Sequence, residues 1–431
     1  MVEVVPFHGL LYNEGTAGPL AELVAPPYDV IRPDLQEALY AKNPYNVVRL
    51  ILGRQNETDD DNNNRYTRAA VDFTEWQAQD ILKKDERPGF YVYSQEYTFN
   101  GKTNNRVGFF ARVRLEDFSA GNICPHEFTL AKAKQDRTQL IRACKANFSP
   151  VFGLYSDPEG ALDGKLAEIV QQPPLAVIEE DAILNRLWRV NDSATLDFLS
   201  AQFAEKKITI ADGHHRYETA LSYHQENGSQ VPDSAHIMMF LTNLDAQSLA
   251  IYPIHRQIKC PTAFQRDEFL KNLEPYFAVV PLEKNLSADA LTARLEEAGQ
   301  KDIAFCVYLG GGDAVLLQLK DVEQIVPFMA PEDSPDLKAL DVYQLHALVL
   351  KKIMAIDTQL PAHQQYITYN VRTQESMENV DSGKFDLVFF MNATPITQVR
   401  ELAEQGIRLP QKATYFYPKL LSGLVINRFE P

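Results

Sequence analysis

Residues 208–224 read Ile-Thr-Ile-Ala-Asp-Gly-His-His-Arg-Tyr-Glu-Thr-Ala-Leu-Ser-Tyr-His, which is a strand, a tight turn and a helix in direct succession. Ile208 to Ala211 make the strand, Asp212-Gly213 is a turn signal, and Tyr217, Ala220, Leu221 and His224 recur at the spacing of a buried helix face. His214, His215 and Arg216 then fall in the first helical turn, the positive end of the helix dipole. Three cation-capable side chains there oppose the dipole, and a bound anion removes the conflict. Gly213 lets a phosphate approach the backbone, and Arg216 can grip two of its oxygens. The alternative is that the histidines cap loops and Arg216 pairs with a carboxylate. Two histidines, an arginine and an aspartate within five residues favour a functional site.

Upstream, Ala25-Pro26-Pro27-Tyr28-Asp29-Val30-Ile31 holds Asp29 on a path stiffened by two prolines, before a helix over 33–42. The acidic run Asp59-Asp60-Asp61 reads as a solvated loop ahead of an amphipathic helix carrying Ala69, Phe73 and Trp76. Two apolar stretches around Asn100-Gly101 predict a hairpin and hence antiparallel sheet. Cys124-Pro125-His126-Glu127-Phe128-Thr129-Leu130 leads into a helix opened by Lys132, Lys134, Asp136 and Arg137, followed by a strand over 151–155. A helix over 193–206 leads into the 208–211 strand.

Downstream, strands are expected over 236–242 and 248–258, the second ending in His255-Arg256. Beyond Cys260-Pro261 helix and strand alternate, with a hairpin around Gly310-Gly311-Gly312, a helix over 337–353, and Thr394 capping a helix that has Pro395 at its first position. The glycine triplet is no nucleotide loop, since the Lys-Ser/Thr of such a loop is missing.

With 431 residues, 45% of them hydrophobic, the chain can build two or three cores. Cys124, Cys144, Cys260 and Cys306 show no paired metal spacing, so a reducing, cytoplasmic setting is expected. No apolar run approaches the roughly 18 residues that span a bilayer, and no signal-peptide pattern opens the chain. A formal net charge of −16 argues against nucleic acid as a partner. The expected partner is a small phosphorylated metabolite, with no membrane, and a homodimer is left open.

Pro27-Tyr28-Asp29-Val30-Ile31, Pro125-His126-Glu127 with Asp136-Arg137, the box from Asp212 to Ala220, His255-Arg256, and Thr414-Tyr415-Phe416-Tyr417-Pro418-Lys419 with Gly423 together resemble a bacterial and archaeal family, domain of unknown function 1015. The Asp-Gly-His-His-Arg box is more distantly similar to the phosphate-binding box of the ParB and sulfiredoxin superfamily, which includes free-serine kinases. The resemblance implies an α+β protein: a ParB/sulfiredoxin-like mixed N-terminal region with antiparallel sheet over 1–260, and a C-terminal α/β domain over 261–431 closing over the site. It also implies phosphoryl transfer on serine or phosphoserine, as a kinase or a phosphatase linked to serine biosynthesis, with Mg2+ and ADP or ATP as cofactors. Where sulfiredoxin has its cysteine this chain has His214, so no redox cofactor is expected.

Phosphoryl transfer needs cations around a phosphate and one base or nucleophile in line. Gly213, His215, Arg216, Arg137, Lys134, His255, Arg256 and Lys419 are the candidates for holding phosphate and substrate. Asp29 or Glu127 is the candidate base, His126 or His214 the nucleophile or general acid, and Asp212 completes the catalytic set. Two other readings stand beside this one. The first is a regulator that binds a nucleotide or phosphoserine without turnover. The second is a metal-dependent hydrolase using His126, Asp212, His214 and Asp29, although adjacent histidines in one helical turn point about 100° apart.

Overall fold

The computed structural model describes residues 2–99, 101–129, 131–246 and 248–430. They form two compact units, one of Met1–Ala250 with Pro418–Pro431 and one of Ile251–Tyr417. The division falls at Ala250 rather than at 260. The strand expected over 248–258 is two strands, Ala250–Tyr252 and His255–Ile258, separated by Pro253, which has no N–H to give to a ladder. The second piece pairs on both edges within the second unit. The chain then returns, so 418–431 belongs to the first unit and not to a C-terminal domain.

The first unit is built on a nine-stranded sheet whose order is Ile123–Cys124, Ile208–Asp212, Val151–Tyr155, His236–Asn243, Lys102–Arg114, Phe90–Phe99, Ile183–Val190 and Ala176–Glu180, with Val4–Val5 added against Lys102–Arg114. The predicted hairpin is its longest pairing, Tyr91 opposite Phe110 through to Phe99 opposite Lys102. Asn100 of that turn, like Leu130 of the 124–130 segment, lies outside the described residues. The sheet is mixed: the 208–212 strand runs parallel to 123–124 and antiparallel to 151–155. Phe90, Phe109, Val151, Tyr155, Phe203 and Leu241 belong to its core, each fully buried side chain contributing about 1.5–3 kcal/mol.

The box helix, His214–Asn227, sends Tyr217, Ala220 and Tyr223 into this core, which fixes its first turn at the end of the 208–212 strand. Leu221 and His224, expected on the same face, are half-buried at its margin, and His224 Nδ1 meets Ser234 Oγ at 3.0 Å. The returning segment lies along the same unit. Ser422 and Ala25 exchange backbone bonds of 2.7 and 3.3 Å, Asn427–Arg428 pairs with Ala146–Asn147, and Phe429 packs on Tyr223.

The second unit has a six-stranded sheet in the order Phe277–Pro281, Ala314–Leu319, Ala304–Tyr308, Leu387–Phe390, His255–Ile258, Ile367–Asn370. Every pairing in it is antiparallel, so the alternation of helix and strand that suggested an α/β region gives an α+β one. The helix expected over 337–353 is Pro335–Lys338, Asp341–Gln344 and a π-helical run Leu345–Ile353. Thr394 is not a cap: its hydroxyl donates to Ala413 O at 3.0 Å, and Pro395 holds the N-cap position. Among the described residues no helix is long and apolar enough to cross a membrane.

Candidate functional site

The end of the 208–212 strand carries a register shift between Ile210 and Asp212, a bulge of the kind that re-aims a side chain. Gly213 follows with φ +94°, in the left-handed region that glycine enters at little cost. A Cβ at this position would sit 2.9 Å from Arg216 Nε, because the guanidinium folds back over the turn. The first intrahelical bond runs from Tyr217 N–H to Gly213 O at 3.0 Å, which makes 214–216 the positive end of the helix.

Arg216 donates from Nη1 to Pro150 O, and its Nη2 lies 3.8 Å from Asp212 Oδ2. Lys419, delivered by the returning segment, donates to the same Asp212 oxygen at 3.1 Å. One carboxylate therefore stands between two cations, one four residues away and one 207 residues further along the chain. Lys419 is held there by the backbone around it: Gln95 Nε2 donates to its carbonyl at 3.1 Å, and the buried Arg106 donates to Pro418 O at 2.6 Å.

His126 and His214 come together as expected, with ring centroids 4.6 Å apart and edge to face. His126 Nδ1 is 2.6 Å from Ile210 O, so it carries the proton, and His214 Nε2 accepts from His126 N–H at 3.1 Å. Burial, only partly opposed by Glu127, pushes the His126 imidazolium below its ordinary range, so the ring is neutral near pH 7. Glu127 is half-buried beside it.

Arg137 is buried against the Tyr28 ring, 3.8 Å from its centroid, and donates to Ile51 O at 3.0 Å and to Asp136 from Nε at 2.7 Å. Burial raises Asp136, but Arg137, Tyr66 and Arg65 outweigh it and keep the carboxyl below the usual range. Burial pushes the Tyr28 hydroxyl up to about 12, with the charges of Arg137, Asp29, Arg216 and Asp136 also acting on it. Asp29 itself is exposed on the short 3-10 turn Tyr28–Val30. Lys134 donates to Glu218 of the box helix at 3.1 Å, beside Thr129 Oγ1 at 2.6 Å, and His215 is half-buried.

Arg137 and Arg216 wall a cavity of about 50 Å³ together with Asn147, Ser149 and Thr219. Such a cavity has room for several waters or a small anion. The Thr219 hydroxyl is buried with no hydrogen-bond partner among the described residues, an omission that costs about 1–3 kcal/mol unless something bonds it there. Thr219 and Ser149 were missed in the sequence, although Thr219 lies three residues after Arg216 and so on the same helix face.

His255 and Arg256 lie apart from this group in the chain's division, in the interior of the second unit, and their polar atoms are spent there. His255 meets Thr373 Oγ1 at 3.1 Å and accepts from Met391 N–H at 3.3 Å. Arg256 donates to Ile254 O, to Lys412 O at 3.0 Å and to His346 Nε2 at 3.4 Å. Among the described residues no group of three or more His, Cys, Asp or Glu side chains is arranged to hold a metal ion, so the set His126, Asp212, His214 and Asp29 is not assembled as one.

A family model described as Protein of unknown function (DUF1015) matches residues 4–343. The chain belongs to this family. The DUF1015 match takes in the box, the 126–137 segment and the start of the second unit, and ends before Lys419. No curated protein matches. Among solved structures, this DUF1015 chain is similar to a conserved hypothetical protein from Pyrococcus furiosus, 14% identical over 72% of this chain and 90% of the other, with a TM-score of 0.35. A free serine kinase mutant in complex with AMP is 14% identical over 74% and 92%, with a TM-score of 0.36. SbnI from Staphylococcus aureus with a C-terminal truncation is 9% identical over 73% and 85%, with a TM-score of 0.33.

Proposed function

We propose that the first unit is a phosphoryl-transfer enzyme for a small hydroxylated metabolite, with the phosphate held between Arg216 and Arg137. The observation that carries this reading is the cavity itself: two guanidinium groups and an orphaned, buried Thr219 hydroxyl face one small space at a helix N-terminus. Guanidinium forks match phosphate oxygens in pairs, and the hydroxyl supplies a further donor. Lys419 shares Asp212 with Arg216, which weakens the hold of that carboxylate on the guanidinium.

Serine with an adenine nucleotide is the substrate pair that the resemblance of the box suggests. In this reading ADP or ATP would offer phosphate oxygens to Gly213 N–H and Arg216, and Mg2+ would bring charge neutralisation to the transferring group. Asp29 is the base in this reading, supported by its exposure and by its neighbour Tyr28, whose ring carries Arg137. A neutral His126, with its proton fixed on Nδ1, orients His214 rather than acting as an acid. The hydroxyl proton passes to Asp29 as the oxygen attacks phosphorus, and the leaving group departs with its charge toward Arg216.

Phosphorus NMR of the protein with phosphoserine, alone and with ADP and magnesium, tests this. ATP formation identifies a reversible kinase, free phosphate without ADP a phosphatase, and saturable binding with no turnover in either removes the enzyme reading in favour of a regulator. Asp29→Asn is expected to keep phosphoserine affinity within about twofold and to lose at least about a hundredfold in turnover. Unchanged turnover returns Asp29 to a turn residue.

A further inference from the structure

Away from the box, the first unit has a second cavity, a cleft of about 520 Å³ beside the 53–64 loop. Its size is that of a small-molecule site, roughly 300–1,000 Å³. In a chain of net charge −16, four arginines line it, Arg49, Arg54, Arg65 and Arg68, with Asn62 and other asparagine amides between them. Asp72 is the one carboxylate on the wall, and burial pushes its carboxyl up.

The guanidinium groups are held in place by carboxylates off the wall and, for Arg68, also by Asn63 Oδ1 at 3.0 Å and Arg54 O at 2.8 Å on it. Arg68 donates to both oxygens of Asp59 at 2.7 and 3.0 Å, Arg54 to Glu37 from Nε at 3.0 Å, and Arg65 to Asp136. These three pairs neutralise charge, so net charge does not make the case. The donors do. An arginine has five N–H groups; Arg68 spends Nη1 and Nη2 on Asp59, Asn63 and Arg54 O, so the donors left around the cleft are those of Arg49, Arg54 and Arg65. Arg49 is the clearest instance: its Nη2 reaches Tyr40 O at 3.3 Å, while its Nε is sealed from solvent with no acceptor among the described residues.

The chemistry also says what the ligand lacks. Among the described lining residues the one aromatic ring, Tyr40, already carries Arg49 and Arg54 over it at 4.4 and 4.1 Å, which disfavours stacking of a base there. We infer that this cleft is a binding site for a compact polyanion, a metabolite carrying two or more phosphoryl or carboxylate groups and recognised through Arg49, Arg54 and Arg65.

Calorimetric titration of the full-length protein with inorganic pyrophosphate, and separately with citrate, tests this in buffer free of phosphate. The titrations are run on the wild type and on Arg216→Gln, which removes the box as a competing anion site. Saturable binding of either probe is expected to survive Arg216→Gln and to weaken by about tenfold or more in Arg49→Gln and Arg54→Gln. Pyrophosphate alone binding identifies a phosphoryl ligand, citrate alone a polycarboxylate. Asn62→Ala, on the exposed loop, serves as a further cleft variant should a guanidinium replacement fail to fold by circular dichroism. Two results overturn the proposal: neither probe binds, or binding disappears in Arg216→Gln and is unchanged in the cleft variants. Because the box and the cleft are removed by different substitutions, failure here and failure of the phosphoryl-transfer reading are separately visible.

Discussion

Gly213 and Thr219 are the two positions where single atoms decide how the candidate site is built. Gly213→Ala places a methyl 2.9 Å from Arg216 Nε at φ +94°, so either the backbone or the guanidinium must move. The expected cost is about 1–3 kcal/mol, read as a drop in melting temperature, together with weaker phosphate binding. A variant as stable as the wild type would mean that Arg216 is not seated as described. Thr219→Val removes an orphaned hydroxyl, so the opposite pairing is expected: stability unchanged or raised by up to about 1 kcal/mol, and phosphate affinity reduced several-fold. Equal affinity would place the phosphate elsewhere. Asp212, Gly213 and Arg216 were legible in the sequence because they are contiguous and locally conflicted. Thr219 and Ser149 were not, since a hydroxyl becomes an orphan only once Arg137 and the 146–149 segment are packed around it. His255-Arg256 misled for a related reason: two polar residues at a strand end read the same whether they face a ligand or a neighbouring strand's carbonyls.

At the level of strands and helices, local signals were decoded where they act locally. The hairpin and the strand over 151–155 both correspond to observed elements, since turn chemistry and short apolar runs act within a few residues. Thr394 and the 337–353 helix failed because partners distant in sequence, Ala413 for the one and the packing of 345–353 for the other, override propensity. The 255–258 strand and the Leu345–Ile353 run also bring an acid response with them. Burial lowers His255 to about 3 and His346 well below the ordinary 6.5, Arg256 adding to both. Since the folded values are depressed, the unfolded chain binds more protons, and stability present above pH 6.5 is lost as pH falls toward about 3. The slope should approach 1.4 kcal/mol per pH unit for each histidine, flattened for one of them in His255→Gln. Urea midpoints between pH 7 and 4 measure this, and identical slopes for wild type and variant would refute it.

Across the whole chain, the division into Met1–Ala250 with Pro418–Pro431 and Ile251–Tyr417 predicts unequal behaviour of fragments. Residues 251–417 hold a complete six-stranded sheet with its own core, and expressed alone they are expected to fold cooperatively. Residues 1–250 alone lack Lys419 beside Asp212, Ser422 between Ala25 and Ser149, and the strand that pairs with Ala146–Asn147. They are expected to be insoluble or loosely packed until a peptide of 418–431 is supplied. A stable, cooperative 1–250 fragment would show the returning segment to be dispensable. That segment also sets an order in time. On the ribosome Asp212 emerges long before Lys419, and at about 5–20 residues per second the delay is on the order of tens of seconds. Through that interval the nascent chain holds Arg216 and the box without the lysine that balances Asp212, while the whole of 251–417 is being made. Any message cut short within that stretch yields a product whose box is already translated but lacks the lysine that pairs with Asp212.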